Sequence, residues 1–403
     1  MPARRKPRLL VLNQYYWPGL EATAQLLTEL CEALAEEMEI KVVTGVLHGH
    51  EDQTRRTVHN GVEIVRVAST SFERSRILAR ASNYASYLTN ALLRGVRGPR
   101  PDFVLCMTDP PIVADIALLV ARRYRAPLVV ISQDVFPEIA VELKRLENPA
   151  VMGLLRGLVR LYLRRADRIV AIGETMCRRL EEKGAPPDRL RVIPNWVDTE
   201  RLAPHEKDNA WARGGDLAGK FVVMHSGNVG HAQDLDSLVR SASFLRDLED
   251  IRIMIIGMGA RHAELVALAE LLEVDQVKFL YYQSRDVLPL SLSAADVHVV
   301  GLAPGLAGYV VPSRLYGILA VARPVIVAAD EESETAQIVE QVDCGIVVPP
   351  GRPELLARAI RDAHDGKYDL VAMGARGREW VEREADRSVA VRRYRDLLLE
   401  LAS

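Results

Sequence analysis

The chain has 403 residues, 49% of them apolar and 26% charged, with 52 Lys and Arg against 54 Asp and Glu. These values exclude a disordered, collagen-like or disulfide-scaffold protein, and the length exceeds what one ordinary core holds, so two domains are expected. The near-neutral total hides an asymmetry: residues 1–195 carry 29 Lys and Arg against 22 Asp and Glu, the remainder 23 against 32. The front half is therefore expected to meet an anionic partner or a membrane surface.

Arg8–Leu12 (RLLVL) reads as a buried strand, followed by the loop NQYYWPGLEATA. A helical pattern then runs from Thr23 to Glu37, with Leu26, Leu27, Leu30, Ala33 and Leu34 on one face. Strand-like runs recur at Ile40–Thr44, Val62–Val67, Asp102–Cys106, Leu128–Ser132 and Arg168–Ile172, with helix-like segments between most of them. RVIPNWVD, 191–198, closes this half at a Pro-Asn turn. A second alternation starts at Phe221 with FVVMHSGNVG and continues through IRIMIIGMG, VKFLYYQ, ADVHVVGL, PVIVAAD and CGIVVPPG. From Arg378 the remaining residues follow a charged amphipathic helix pattern. Strands rich in β-branched residues alternating with helices imply α/β domains, each a parallel sheet covered on both faces. Two doubly wound, Rossmann-like domains are expected to face a central cleft, with ligands at the carboxyl ends of the strands.

The cysteines, Cys31, Cys106, Cys177 and Cys344, show no metal-ligand spacing, which points to a reducing compartment and away from structural zinc. No apolar run approaches the ~20 residues that cross a bilayer. The basic start MPARRKPR precedes a run broken at Asn13 and Gln14, too short for a signal peptide. The expectation is a cytoplasmic protein.

The stretch Val310–Ala328, VVPSRLYGILAVARPVIVA, reads as a short helix opened by Pro312, Ser313 and Arg314, then a break at Arg323-Pro324 and a buried strand. Pro is tolerated in a first helical turn, Ser313 is expected to cap, and Arg314 adds a cation at free backbone N–H groups. That combination is an anion site, most often for phosphate.

The motifs NQYYWPGLEATAQLLTEL (13–30), ISQDVFPE (131–138), ADRIVAIGETM (166–176), VIPNWVD (192–198), HSGNVGHAQDLDSL (225–238), VVPSRLYGILAVARPVI (310–326), ESETAQIV (332–339) and DCGIVVPPG (343–351) stand in an order that resembles glycosyltransferase family 4, with the GT-B fold. Within it the chain is most similar to bacterial enzymes of surface-polysaccharide assembly such as the N-acetyl-L-fucosamine transferases. The resemblance implies an acceptor-side domain over 1–197, a nucleotide-sugar domain over 198–377, and a C-terminal helix, 378–403, packing back towards the first. It further implies transfer with retention from a nucleotide-sugar donor, a UDP-sugar carrying an N-acetylated amino or deoxy sugar, without a metal or other cofactor.

Without a metal, a departing diphosphate needs Arg, Lys or backbone N–H donors. Arg314 with Ser313 and Pro312 is the first choice. The loop Gly227-Asn228-Val229-Gly230-His231 follows a strand and brings backbone N–H groups to a ligand. Where many members of the family carry Arg and Lys, this chain has Asn228 and Gln233; His231 reads either as a ligand or as a structural histidine. The family's E-x7-E signature falls on Tyr309 and Gly317, neither acidic. Glu334 either faces the same crevice or caps its own helix. Gln283, in Tyr281-Tyr282-Gln283, lies where the family contacts the base. Gly257 and Gly259 are only a fragment of a dinucleotide fingerprint, so no redox cofactor is expected.

On the acceptor side, Gln133, Asp134 and Glu138 end a strand; Asp134 either orients a reactant or caps the next helix. Gly19, Glu21 and Thr23 shape the same side. In Val151–Arg165, Arg156, Arg160 and Arg164 recur every four residues beside Leu155, Leu158, Val159 and Tyr162. This suits either a helix lying on an anionic membrane or a solvated basic face over a core stripe. The membrane reading implies a peripheral protein acting on a glycan or polyprenyl-diphosphate-linked acceptor; no nucleic-acid partner is expected. Two alternatives stay open: a UDP-sugar epimerase of the same fold, with Asp134, Glu138 and Glu334 as its carboxylates, and a non-catalytic sugar-nucleotide-binding partner.

Overall fold

The computed structural model describes residues 5–19, 21–46, 54–70, 77–143 and 148–402, with backbone only over 77–81. Residues 1–4 of the basic start and Leu20 of the first loop fall outside these. The chain divides into two compact units, Met1–Pro194 with Ala390–Ser403, and Asn195–Val389.

The first unit holds β1 (Arg8–Leu12), β2 (Glu39–Thr44), β3 (Arg56–His59), β4 (Val62–Arg66), β5 (Phe103–Met107), β6 (Leu128–Ser132), β7 (Arg168–Ala171) and β8 (Leu190–Val192). They form one sheet in the order β3-β4-β2-β1-β5-β6-β7-β8. β5 and β6 are buried along their whole length, as apolar runs covered on both faces must be. The sheet is not wholly parallel, because β3 pairs antiparallel with β4. The two are joined at Asn60 and Gly61, both with positive φ, the pairing a tight primed turn requires. An Asn-Gly step between alternating residues announces this hairpin in the sequence, where the reading above placed only its second strand.

The second unit holds β9 (Phe221–Ser226), β10 (Ile251–Ile256), β11 (Val277–Leu280), β12 (Val297–Gly301), β13 (Val325–Ala328) and β14 (Gly345–Val348). Their order is β11-β10-β9-β12-β13-β14, parallel throughout. Chain order reverses between β9 and β12, so the carboxyl ends of those strands frame the unit's crevice.

Three local expectations are corrected. The first helix is Ala22–Leu34, ending before Glu36 and Glu37, which carry no apolar stripe. The charged tail is two helices, Leu370–Glu384 and Arg387–Glu400, interrupted where Asp386 bridges to Val197. The short helix of the anion motif is Arg314–Ala320, and Ser313 keeps helical angles with no side-chain cap bond. Pro312 and Ser313 therefore precede the helix instead of opening it.

That helix is fixed from behind. Tyr316 stacks on Trp380 at 6.3 Å, and Arg378 donates to the carbonyls of Thr199 (3.0 Å), Leu202 (2.9 Å) and Ala320 while pairing with Glu382. One guanidinium thus ties the start of the second unit to the end of the site helix. Arg378→Met keeps the aliphatic stem but strands these carbonyls; equilibrium urea unfolding should show a loss of roughly 2–3 kcal/mol.

Candidate active site

In the second unit two glycine loops meet backbone to backbone. Gly227 N–H donates to Ile256 O (2.9 Å) and Val229 N–H to Met258 O (3.0 Å). A Cβ on Gly257 would lie 1.9 Å from Gly227 O, and one on Gly259 2.2 Å from Val229 O. The IIGMG glycines are therefore packing glycines that let the 227–231 loop settle at the end of β9.

Arg314 lies on that loop. A Cβ on Gly227 would sit 3.4 Å from the guanidinium carbon, and Gly227 has φ +146°. Arg314 Nη1 lies 3.0 Å from Nδ1 and 2.9 Å from Nε2 of His225. Burial lowers the guanidinium to about 10, with Tyr282 acting the other way. It stays protonated at neutral pH, yet has no carboxylate partner among the described residues. Tyr282 is 57% exposed, and its hydroxyl donates to Met258 O at 3.1 Å.

Other expected donor-side residues are placed around this centre. Gln233 accepts from Gly230 N–H at 2.9 Å, so its carbonyl oxygen shapes the loop. Asn228 and His231 are exposed on the loop. Gln283 accepts from Trp211 Nε1 and donates to Tyr281 O, both at 2.9 Å, which ties its side chain to the fold. Glu334 opens the helix Glu334–Val342, whose cap is Ser333 accepting from Ala336 N–H at 3.2 Å. Glu334 instead acts electrostatically on Tyr316, whose hydroxyl is buried without a hydrogen-bond partner among the described residues. A Cβ on Gly317 would meet Leu202 and Leu292 at 3.8 and 3.9 Å, an apolar setting with no place for an acidic side chain.

In the first unit, Asp134 follows β6 and is partly buried, with no hydrogen-bond or ion-pair partner for its carboxyl among the described residues. Burial raises its pKa to about 6. It does not cap the next helix, Glu138–Glu142, whose cap position is Pro137 with no side-chain bond. Gln133 N–H donates to Thr108 Oγ1 at 3.0 Å. Glu138 is the opposite case: burial pushes its carboxyl up, but Lys183 and Arg156 outweigh that and hold it below its usual value. Thr23 Oγ1 reaches Asp109 at 3.3 Å. Glu21 precedes the helix Ala22–Leu34 without a side-chain cap bond, and Gly19 closes a turn onto Tyr16 O at 2.8 Å.

The sequence reading missed His225 and Asp109, and named Tyr282 only within the stretch Tyr281-Tyr282-Gln283. A signal existed for His225, a histidine directly after the apolar run FVVM in the strand FVVMHS. Among the described residues no group of His, Cys, Asp or Glu is placed to hold a metal ion, and no helix is long and apolar enough to cross a membrane.

Asp134 titrates with a definite sign. A carboxyl raised from 3.8 to about 6 on folding contributes stability below pH ~4 that is lost as pH rises through 6. Asp134→Asn, which never ionises, should unfold at the same temperature as the parent at pH 4 and at a higher one at pH 8.

Comparison with known proteins follows the same division. Residues 22–196 match the family described as Glycosyl transferase 4-like domain, and residues 209–380 match Glycosyl transferases group 1. The probable glycosyltransferase WbjE of Pseudomonas aeruginosa is 28% identical over 336 residues, 80% of each chain. The putative colanic acid biosynthesis glycosyl transferase WcaI of Escherichia coli K12 is 31% identical over 238 residues, 58% of this chain and 57% of that one. Among solved structures, Anabaena Alr3699/HepE in complex with UDP superposes with a TM-score of 0.74 at 14% identity, covering 98% of this chain and 100% of that one.

Proposed function

Because the chain belongs to the family 4 glycosyltransferases of the GT-B fold, we propose that it moves a sugar from a UDP-sugar to a lipid-linked or envelope glycan, with retention and without a metal ion. The observation that carries this reading is the half-buried Arg314 cation, without a carboxylate among the described residues, seated on a glycine loop at the second unit's strand-order reversal. A nucleotide diphosphate supplies the missing negative charge. As the bond from the anomeric carbon to the diphosphate oxygen breaks, charge grows on that oxygen and the sugar becomes cationic. A fixed guanidinium in a poorly hydrated site stabilises this more than it stabilises the ground state; removing one comparable donor costs other enzymes about 10²–10³ in rate. Ser313 and the 227–231 loop complete the donor side, and Glu334 is assigned to the donor sugar. The acceptor oxygen forms the new bond on the face the diphosphate leaves, and its proton passes to the departing group.

In the first unit, Asp134 is assigned to the acceptor hydroxyl, for which an unpaired carboxylate is a ready acceptor at neutral pH. Two observations about relatives support the donor and the product class. The Anabaena structure contains UDP, and the Escherichia coli relative is named for colanic acid biosynthesis. The N-acetylated amino or deoxy sugar rests on the motif resemblance.

The acceptor is further assigned to an anionic membrane surface through the helix Pro149–Leu163. Val159, Tyr162 and Leu163 face inwards, while Val151, Leu154 and Leu161 are 42%, 65% and 43% exposed beside exposed Arg160 and Arg164. Arg156 is partly neutralised by Glu138. An outward face of leucine and arginine suits a headgroup layer. The intact protein should float with vesicles containing anionic lipid at low salt and be released at high salt; no flotation at low salt refutes this assignment.

The donor assignment is tested by thermal shift with UDP, GDP, ADP, TDP and their sugars. A ligand at 100 times its dissociation constant adds about 2.7 kcal/mol, a readable shift. UDP and its sugars should raise the midpoint, and Arg314→Ala should abolish the rise; no shift with any nucleotide removes the basis of the reading.

A further inference from the structure

We infer that His225 is a positioning residue for the donor: its imidazole, in the place where a carboxylate usually accompanies a buried arginine, seats the Arg314 guanidinium against Gly227. The inference rests on the reading of Arg314 as the diphosphate-binding cation and concerns how that cation is held.

β9 is central in its sheet, paired with β10 on one side and β12 on the other. Such a strand is expected to be apolar throughout, and Val222, Val223 and Met224 obey. His225 breaks the run with no exposure at all. It sits two residues before the glycine that Arg314 touches, and backbone groups of Asn228 and Val299 are also within hydrogen-bonding reach of its ring. Arg314 Nη1 stands at nearly equal distances from both ring nitrogens, so a proton added to the ring would set a second cation against the guanidinium, whereas a neutral imidazole leaves one nitrogen able to accept. The ring is therefore uncharged. Burial and the neighbouring Arg314 both drive its pKa well below 6.5, and the other titratable group that bears on it, His298 on β12, is itself lowered to about 4.

The choice of partner decides what the cation can do. Arg261, in the same unit, is held by Asp236 and Glu264, and its charge is cancelled where it stands. An imidazole fixes the direction of a guanidinium through hydrogen bonding but removes none of its charge. Arg314 is thus oriented before the ligand arrives and still lacks a counter-ion, which is the preorganisation a leaving diphosphate needs.

The test substitutes His225 in the intact protein and measures the affinities of UDP, by calorimetry, and of uridine, by displacement. His225→Gln, with an uncharged acceptor, should bind UDP within a few-fold of the parent. His225→Asp, which supplies the cancelling carboxylate, should bind UDP at least tenfold more weakly while uridine is unchanged. If His225→Asp does not fold, His225→Leu, which has no acceptor, should show the same selective loss. Equal losses for UDP and uridine across the variants would mean a merely structural histidine, and parental UDP affinity in His225→Asp would equally overturn the inference. Arg314→Ala separates the two levels. If it leaves UDP affinity intact, the diphosphate reading itself fails; if it destroys affinity while His225→Asp does not, only the positioning role fails.

Discussion

A guanidinium partly removed from water without a carboxylate beside it carries a desolvation cost. Arg314 is held in that state, and much of the second unit's local structure exists to permit it. Gly227 has no side chain between the loop and the cation, and Gly257 and Gly259 have none to lift that loop from the neighbouring strand end. The first of these loops follows β9, the strand at which chain order reverses towards β12. Tyr316 on Trp380, and Arg378 on three carbonyls, keep the helix that carries Arg314 from relaxing outwards.

The first unit treats its carboxylates by a different rule. Glu138 and Asp134 stand four residues apart after the same strand, and both lose hydration. Glu138 recovers through Lys183 and Arg156 and stays ionised. Asp134 has no such compensation, and its pKa climbs. One is thereby suited to holding structure and the other to exchanging hydrogen bonds with something that is not protein. Composition cannot separate them; only the cationic surroundings of each can.

The strands were the readily legible part of the chain, because a parallel strand covered on both faces leaves a short apolar run that few other structures produce. RTVH, at the sheet edge, alternates and has no such run, and it was overlooked despite its Asn-Gly turn. Pro312 and Ser313 read as a helix opening because propensity is local, whereas the helix itself begins at Arg314 with no side-chain cap from Ser313. The binding motifs were each visible, but not their meeting. His225 and Arg314 are 89 residues apart, and no local pattern states that one faces the other. Gln233 and Gln283 show the converse, polar side chains in the expected places whose bonding groups are engaged with the fold itself.

The division of the chain has a consequence for how the protein is made. The second unit is one continuous stretch whose two ends pair with each other, Val197 N–H on Ala385 O at 3.0 Å and Arg387 N–H on Val197 O at 2.9 Å. The first unit is interrupted: it ends provisionally at Pro194 and resumes only at Ala390. That late segment supplies Tyr394 and Leu398, both fully buried, and Glu400, which pairs with Arg168. On the ribosome, the unit begun first is therefore finished last, and it waits with an uncovered apolar surface while the other, synthesised in between, has everything it needs to fold.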